Sequence, residues 1–403
     1  MQKVSKDKNL LIFSIANPDF VTKFKRKDLL SQDLNGFFKR VHYVSLFDKP
    51  FKPYTEKINE TYTVVYLSNK RFKWLQKGKL RHLNTAVSLV YNLLYLWRYV
   101  IKNNVTVFFS HEPFIRGSLA YILSKLTGKP YIVEVCSNFQ RIHWDKGVGV
   151  IPMFHSISFE KKLLRFILLH ANAVIAEKDY YWDDGLIPHE LENRYFRYHF
   201  SMEEAHYSPP ESRINLKPKY NATNKKVVLY IGRLVQEKRA EDLSLIAREL
   251  FLNNNLPDAV MWIVGDGPLK RPIMEDVRKS GLSDRVLFLE SQPTVMVANF
   301  LSTADVVIAP QAGRTATECQ LAETPIVVYD FDWHREAVAD GKYGIIVPYR
   351  DVKAMAEATK NVLLHPEKYK PMMKAARQWV LQNNTLEREI EDKLKIYRAV
   401  LGE

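Results

Sequence analysis

Across 403 residues this chain has only two cysteines, Cys136 and Cys319. Neither a disulfide framework nor a thiolate metal cluster can be built from them, and such sparing use of thiols is expected of a reducing cytoplasm. Internal repeats, low-complexity tracts, metal-ligand clusters and the patterns of serine or cysteine nucleophile triads are also missing, so no metal and no cofactor is expected. Acidic residues run short in one place. Residues 1–130 hold 8 Asp+Glu against 23 Lys+Arg, a surplus of +15, while residues 131–403 balance at −1. So uneven a charge describes either a solvated basic face or a surface for an anionic partner, be it nucleic acid, an anionic membrane or a phosphorylated molecule. RRM, KH and zinc-finger signatures are lacking, so nucleic acid is not the expected partner.

No apolar run spans a bilayer without interruption. The longest, residues 83–101, contains Asn84, Ser88, Asn92 and Arg98 and lies between two predicted strands. That favours a core helix over an interfacial docking surface, and either over a membrane span. The preceding stretch, Arg71-Phe-Lys73-Trp74-Leu-Gln-Lys77-Gly-Lys79-Leu-Arg81-His82, interleaves cations with aromatics. At the start, Lys3, Lys6 and Lys8 before Leu10-Leu-Ile-Phe-Ser-Ile-Ala16 have the outline of a signal peptide. The apolar run is short, though, and Asn17-Pro18-Asp19 is a turn without a cleavage pattern, so a buried first strand is expected.

What is present is an ordinary globular composition, 46% hydrophobic and 26% charged, at a length that suits two or three domains. The first half alternates predicted strands (10–15, 41–46, 62–67, 105–110, 131–136, 173–176) with helices (116–126, 159–170). The polar, proline-bearing stretch 207–224 reads as a linker between domains. Beyond it, Val227-Val-Leu-Tyr-Ile-Gly232-Arg233 is a strand running into a turn, and a helix follows with Leu243, Ile246, Ala247 and Leu250 on one face. Met261-Trp-Ile-Val-Gly265-Asp266-Gly267-Pro268 repeats the strand and tight turn. Asp305-Val-Val-Ile-Ala-Pro310 is a third strand, followed by the turn Gln311-Ala-Gly313-Arg314-Thr315 and a helix over about 315–322. A glycine-containing turn that opens a helix offers backbone N–H groups and a positive dipole end to a phosphate. Glu318, in the first turn of that helix, either complements the dipole or accepts hydrogen bonds from sugar hydroxyls. A last helix over 385–401 places Leu386, Ile390, Leu394, Tyr397 and Leu401 at helical spacing.

Strand-Gly232-Arg233-x4-Lys238, strand-Gly265-Asp266-Gly267-Pro268 and a helix opened by Glu318 ahead of Thr324-Pro-Ile-Val327, in this order, resemble the donor half of GT-B glycosyltransferases of family 4, the retaining group 1 enzymes. The resemblance covers residues 227–348 well and the N-terminal half more loosely. It implies an α/β chain of GT-B type, two Rossmann-like domains facing a central cleft. The expected division is an acceptor-binding domain at 1–208, a nucleotide-sugar-binding domain at 209–384, and a helix at 385–403 returning to the first. It implies transfer of a sugar, with retention, from a nucleotide-diphosphate sugar to a glycan or lipid-linked acceptor in cell-surface polysaccharide biosynthesis. The setting would be the cytoplasm, or the inner face of an anionic membrane as a peripheral protein. Gly232, Gly265, Asp266, Gly267, Gly313, Arg314, Thr315 and Glu318 would bind the donor. Arg233 and Lys238 would neutralise the diphosphate as the glycosidic bond breaks. His143, with Glu134, Asn138 and Asp145, is a polar candidate on or beyond the strand 131–136, near the reacting sugar.

The chain departs from the family pattern in three places. Members usually carry two glutamates with seven residues between them; Glu318 matches the second, but Pro310 stands where the first would be. Cys136 takes the position where many members have a histidine. The loop after the first strand, residues 17–27, has no glycine pair, only lysines and Arg26. Two alternatives therefore stay open beside the transferase: a GT-B nucleotide-sugar epimerase, and a binding module that kept the fold and lost catalysis.

Overall fold

Continuous apolar runs, rather than alternating ones, mark most strands of both halves, as expected where a parallel sheet is covered on both faces. The structure is a computed structural model that describes residues 7–14, 18–23, 29–46, 52–68, 80–139, 156–254 and 256–403. His143, Asp145, residues 71–79 and, in the loop 17–27, residues 17 and 24–27 lie outside the described residues. By its internal contacts the chain divides into two units: Met1–Ser201 with Leu386–Glu403, and Met202–Thr385.

Unit 1 holds an eight-stranded sheet of β1 (Asn9–Phe13), β2 (Arg40–Ser45), β3 (Tyr54–Lys57), β4 (Tyr62–Tyr66), β5 (Val107–Ser110), β6 (Tyr131–Val135), β7 (Ala173–Ala176) and β8 (Tyr195–Arg197), in the order β3-β4-β2-β1-β5-β6-β7-β8. Every pairing is parallel except the exposed edge strand β3, which folds back on β4. The order reverses between β1 and β5. Helices α1 (Leu80–Lys102), α2 (Ile115–Thr127) and α3 (Ile157–His170) connect the strands. The interrupted apolar run of the sequence is α1. It buries Asn92, Leu96 and Val100 and leaves Val90, Leu94 and Ile101 exposed. Asn92 serves the fold: its Oδ1 accepts from the Ser68 N–H at 2.8 Å and its Nδ2 donates to the Ser68 carbonyl at 2.8 Å. Among the described residues, no helix is long and apolar enough to cross a membrane.

Unit 2 holds a six-stranded, wholly parallel sheet of β9 (Lys226–Ile231), β10 (Ala259–Val264), β11 (Val286–Leu289), β12 (Val306–Ala309), β13 (Ile326–Tyr329) and β14 (Ile345–Val347), ordered β11-β10-β9-β12-β13-β14. In sequence terms this is 3-2-1-4-5-6, the doubly wound order whose ligands sit beyond the carboxyl ends of the strands where the order reverses, here between β9 and β12. Around it lie α4 (Leu243–Arg248), α5 (Lys270–Lys279), α6 (Thr294–Thr303), α7 (Thr315–Leu321), α8 (Val352–Leu364) and α9 (Pro366–Asn383). Alternate residues of each strand feed two cores: Val228, Tyr230, Met261, Ile263 and Ile308 on one face, Leu229, Trp262, Val264 and Val307 on the other.

The polar stretch 207–224 packs within unit 2 and does not run free as a linker. Leu216 and Ala222 are buried, Tyr220 packs on Trp262 and Phe300, and Arg213 bonds the Ala298 carbonyl and Ser302. Polarity misled here because the stretch is held by side chains of α6, far away in sequence. After unit 2 the chain re-enters unit 1 as α10 (Leu386–Leu401). Glu389 accepts from Ser201, Asp392 accepts from His199, and the Tyr397 ring meets Phe38 edge-on.

Candidate functional site

Three turns leave the carboxyl ends of β9, β10 and β12. The first, Gly232-Arg233, is held by the Tyr230 hydroxyl, which donates to the Arg233 carbonyl at 2.8 Å. The second, Gly265-Asp266-Gly267, lies backbone on backbone against the first. Gly232 N–H bonds the Val264 carbonyl at 3.0 Å and Leu234 N–H bonds the Asp266 carbonyl at 2.8 Å. A β-carbon on Gly265 (φ +149°) would stand 1.9 Å from the Gly232 carbonyl oxygen, and one on Gly267 (φ +152°) 2.4 Å from that of Leu234. Only glycine permits this approach. The Asp266 carboxylate accepts from the Gly267 N–H at 2.8 Å, stiffening its own turn.

Lys238 closes a short 3-10 turn after β9. Next to it, Arg239 (φ +53°) is buried, with its guanidinium over the rings of Phe331 and Tyr349 at 5.1 and 5.8 Å. The Lys238 amine reaches the turn after β12: a β-carbon at Gly313 would lie 3.0 Å from its Nζ. Loops from the two strands that flank the reversal thus meet at one cation. Burial first, then Arg233, push the Lys238 ammonium down to about 8, against the opposing pull of Glu318 and Asp332.

The turn after β12 is anchored from below by His334, a fully buried side chain whose Nδ1 lies 2.7 Å from the Tyr329 carbonyl and whose Nε2 lies 2.9 Å from Gln311 Oε1. Burial holds this imidazole down to about 4, so it is neutral at physiological pH. Glu318 follows, in α7. Burial drives its carboxyl up to about 7; Arg314, Lys238 and the hydroxyl of Thr315 oppose the rise, and Glu203 adds to it. The imidazole of His206, itself buried, sits with Nε2 3.4 Å from Glu318 Oε1 and is held down to about 4 by burial and Arg213.

Gly232, Arg233, Lys238, Gly265, Asp266, Gly267, Gly313, Arg314, Thr315 and Glu318 therefore all lie at the carboxyl ends of β9, β10 and β12. Two cations, one of them half-buried, and a carboxylate that titrates near neutrality can hold an anion beside a hydroxylated group. His143 lies outside the described residues.

Residues 212–379 match the family model described as Glycosyl transferases group 1. These residues form a group 1 glycosyltransferase domain. The chain is 30% identical over 183 residues to 2-deoxystreptamine N-acetyl-D-glucosaminyltransferase of Streptomyces fradiae, a match covering 44% of this chain and 42% of that protein. It spans roughly half the length of the curated relatives it matches. Among solved structures, sucrose-phosphate synthase from Thermosynechococcus elongatus superposes with a TM-score of 0.74 at 17% identity, covering 98% of this chain and 99% of that one. An Anabaena protein solved with UDP-glucose gives a TM-score of 0.69 at 16% identity, covering 96% and 99%. These likenesses establish the fold as GT-B.

The group 1 domain contains the whole β9–β12 site apart from His206, which precedes it. Sequence reasoning missed both His206 and His334, because a lone histidine carries no pattern; each matters through a partner 112 or 23 residues away. In unit 1, Cys136, the residue expected at the family's histidine position, directly follows β6. Burial and the nearby Glu134 push its thiol well up, and the Sγ donates to the His111 carbonyl at 3.1 Å. Glu134 lies behind it in β6, buried, its Oε2 2.6 Å from His111 Nδ1 and its Oε1 bonded by the Tyr198 hydroxyl.

Proposed function

We propose that this protein transfers a sugar from a nucleotide-diphosphate sugar to a hydroxyl-bearing acceptor, with retention of anomeric configuration. The observation that carries the reading is the meeting of Lys238, Arg233 and the Gly313 turn at the reversal point of the unit 2 sheet. A diphosphate seated there has its charge matched by two cations. As the bond from the anomeric carbon to the phosphate oxygen breaks, its electron pair stays on the diphosphate, and Arg233 and Lys238 stabilise the charge that accumulates. The acceptor oxygen forms the new bond to the anomeric carbon on the face the diphosphate leaves, and its proton passes to the departing phosphate oxygen. Glu318 accepts hydrogen bonds from donor hydroxyls. The likeness to an Anabaena protein solved with UDP-glucose supports a donor of this class. The finer reading is a glycan or lipid-linked, anionic acceptor of the kind assembled into cell-surface polysaccharide; the +15 surplus of residues 1–130 supports it.

The test is a thermal-shift panel of UDP-, GDP-, ADP- and TDP-sugars, since a ligand that binds the folded state raises apparent stability by mass action. The stabilising donor is then incubated, labelled, alone, with neutral free sugars and with lipid-phosphate-linked sugars. Transfer that prefers the lipid-phosphate acceptors is the expected result. A changed sugar without acceptor would make the protein an epimerase, binding without turnover would make it a binding module, and no shift with any donor overturns the reading.

A further inference from the structure

A transferase needs a place for its second substrate, and the eight-stranded sheet has a reversal point of its own, between β1 and β5. The residue that leaves β5 there is His111, whose N–H bonds the Phe13 carbonyl at the end of β1 at 3.2 Å. Its ring is fixed from several sides. Nδ1 lies 2.6 Å from Glu134 Oε2, the Phe109 ring packs edge-on at 4.9 Å, and the His111 carbonyl accepts from Cys136 Sγ at 3.1 Å. Glu134 is 4% exposed, and its other oxygen is satisfied by the Tyr198 hydroxyl. The His111 side chain is 22% exposed, and among the described residues none hydrogen-bonds its Nε2.

The neighbouring acid does different work. Glu112 uses both oxygens on the start of α2, accepting from the N–H groups of Phe114 at 2.7 Å and Arg116 at 2.6 Å. Glu134 caps nothing. A buried carboxylate whose bonds go to a part-exposed imidazole and a tyrosine costs desolvation that an apolar side chain would not. What it secures is orientation: a carboxylate on Nδ1 keeps the proton there and leaves the Nε2 lone pair facing outward.

Resting on the transferase reading above, we propose that His111 holds the acceptor: its Nε2 accepts a hydrogen bond from an acceptor hydroxyl, and Glu134 is the positioning residue that fixes the tautomer. Unit 2 carries the cations for the donor diphosphate, and the unit 1 reversal point carries an outward-facing imidazole nitrogen suited to a polyol hydroxyl.

The experiment has two arms on the full chain. In the kinetic arm, His111→Ala raises the acceptor KM at least tenfold and leaves the donor-induced thermal shift unchanged. Glu134→Gln gives a smaller rise of the same kind, and His111→Gln, whose amide oxygen can accept, recovers part of the loss. An unchanged acceptor KM in His111→Ala overturns the proposal, whereas absence of transfer by the unaltered protein overturns the transferase reading alone. The second arm needs no turnover. Nitrogen-15 NMR of histidine-labelled protein should show His111 protonated on Nδ1, and its Nε2 resonance should move on titration with methyl glucoside, galactoside or mannoside. A proton on Nε2, or an Nε2 resonance that none of the three sugars moves, also overturns it.

Discussion

At the scale of single residues, Arg233 and Lys238 are placed differently, and the difference is testable. Arg233 is exposed, whereas the Lys238 amine is desolvated against Gly313. If both stabilise the departing diphosphate, their attraction is stronger in the transition state than in the ground state. Replacing either with alanine should then lower kcat about a hundredfold, near 3 kcal/mol, with less effect on the donor KM. Arg233→Lys should restore only part of the rate, because a point charge lacks the bidentate fork. A double alanine variant that turns over at the unaltered rate, in single-turnover assays at saturating donor, would remove the assigned role.

Glu318 and Lys238 also predict a pH window. Glu318 accepts from hydroxyls best when ionised, above about 7, and Lys238 is charged below about 8. Donor affinity by calorimetry should peak between these values, weakening on the acid side as Glu318 protonates and on the alkaline side as Lys238 loses its charge. Glu318→Gln should flatten the acid limb alone. The same substitution should raise stability above pH 7. Folding lifts this carboxyl above its ordinary value, so its contribution is fully present below about 4.5 and is lost as pH rises through 7. The gain should be on the order of 3 kcal/mol at pH 8, read from urea unfolding; an acid limb that Glu318→Gln leaves unaltered would assign the titration to another group.

At the scale of elements, the parallel strands were legible because strands covered on both faces become unbroken apolar runs closed by glycine or proline, as in 227–231, 261–264 and 305–309. What could not be read was why the closing residues are what they are. Gly265 and Gly267 look like donor contacts in sequence. In the structure each is also a steric necessity, since two turns some thirty residues apart lie against each other. Asn92 looks like a flaw in an apolar helix and is the partner of the Ser68 backbone. The turn after β12, where Pro310 replaces an expected glutamate, rests on His334, which nothing in the local sequence marks. In each case local pattern reports the element, and a residue remote in sequence decides the side chain.

At the scale of the whole chain, the last helix makes a definite demand. α10 belongs to unit 1 although the 184 residues of unit 2 separate it from the rest of that unit. It brings Ile390, Ile396 and Tyr397 into the unit 1 core, all below 7% exposed. Side chains of that size contribute about 1.5–3 kcal/mol each on burial, so together they exceed the stability margin many domains can spare. Its carboxylates also satisfy groups that would otherwise lose their partners: Glu389 the Ser201 N–H and hydroxyl, Asp392 the His199 N–H and ring. A chain ending at Thr385 should therefore lose amide protection throughout β5 to β8 and melt its unit 1 markedly earlier, with the unit 2 strands as the internal reference. Tyr397→Ala in the full chain should shift the same amides in the same direction by a smaller amount, separating loss of packing from loss of the helix. Hydrogen exchange followed by mass spectrometry reads both variants. If protection of β5 to β8 survives the truncation, α10 is an appendage that unit 1 does not need, and the buried ring against Phe38 contributes little to holding that unit together.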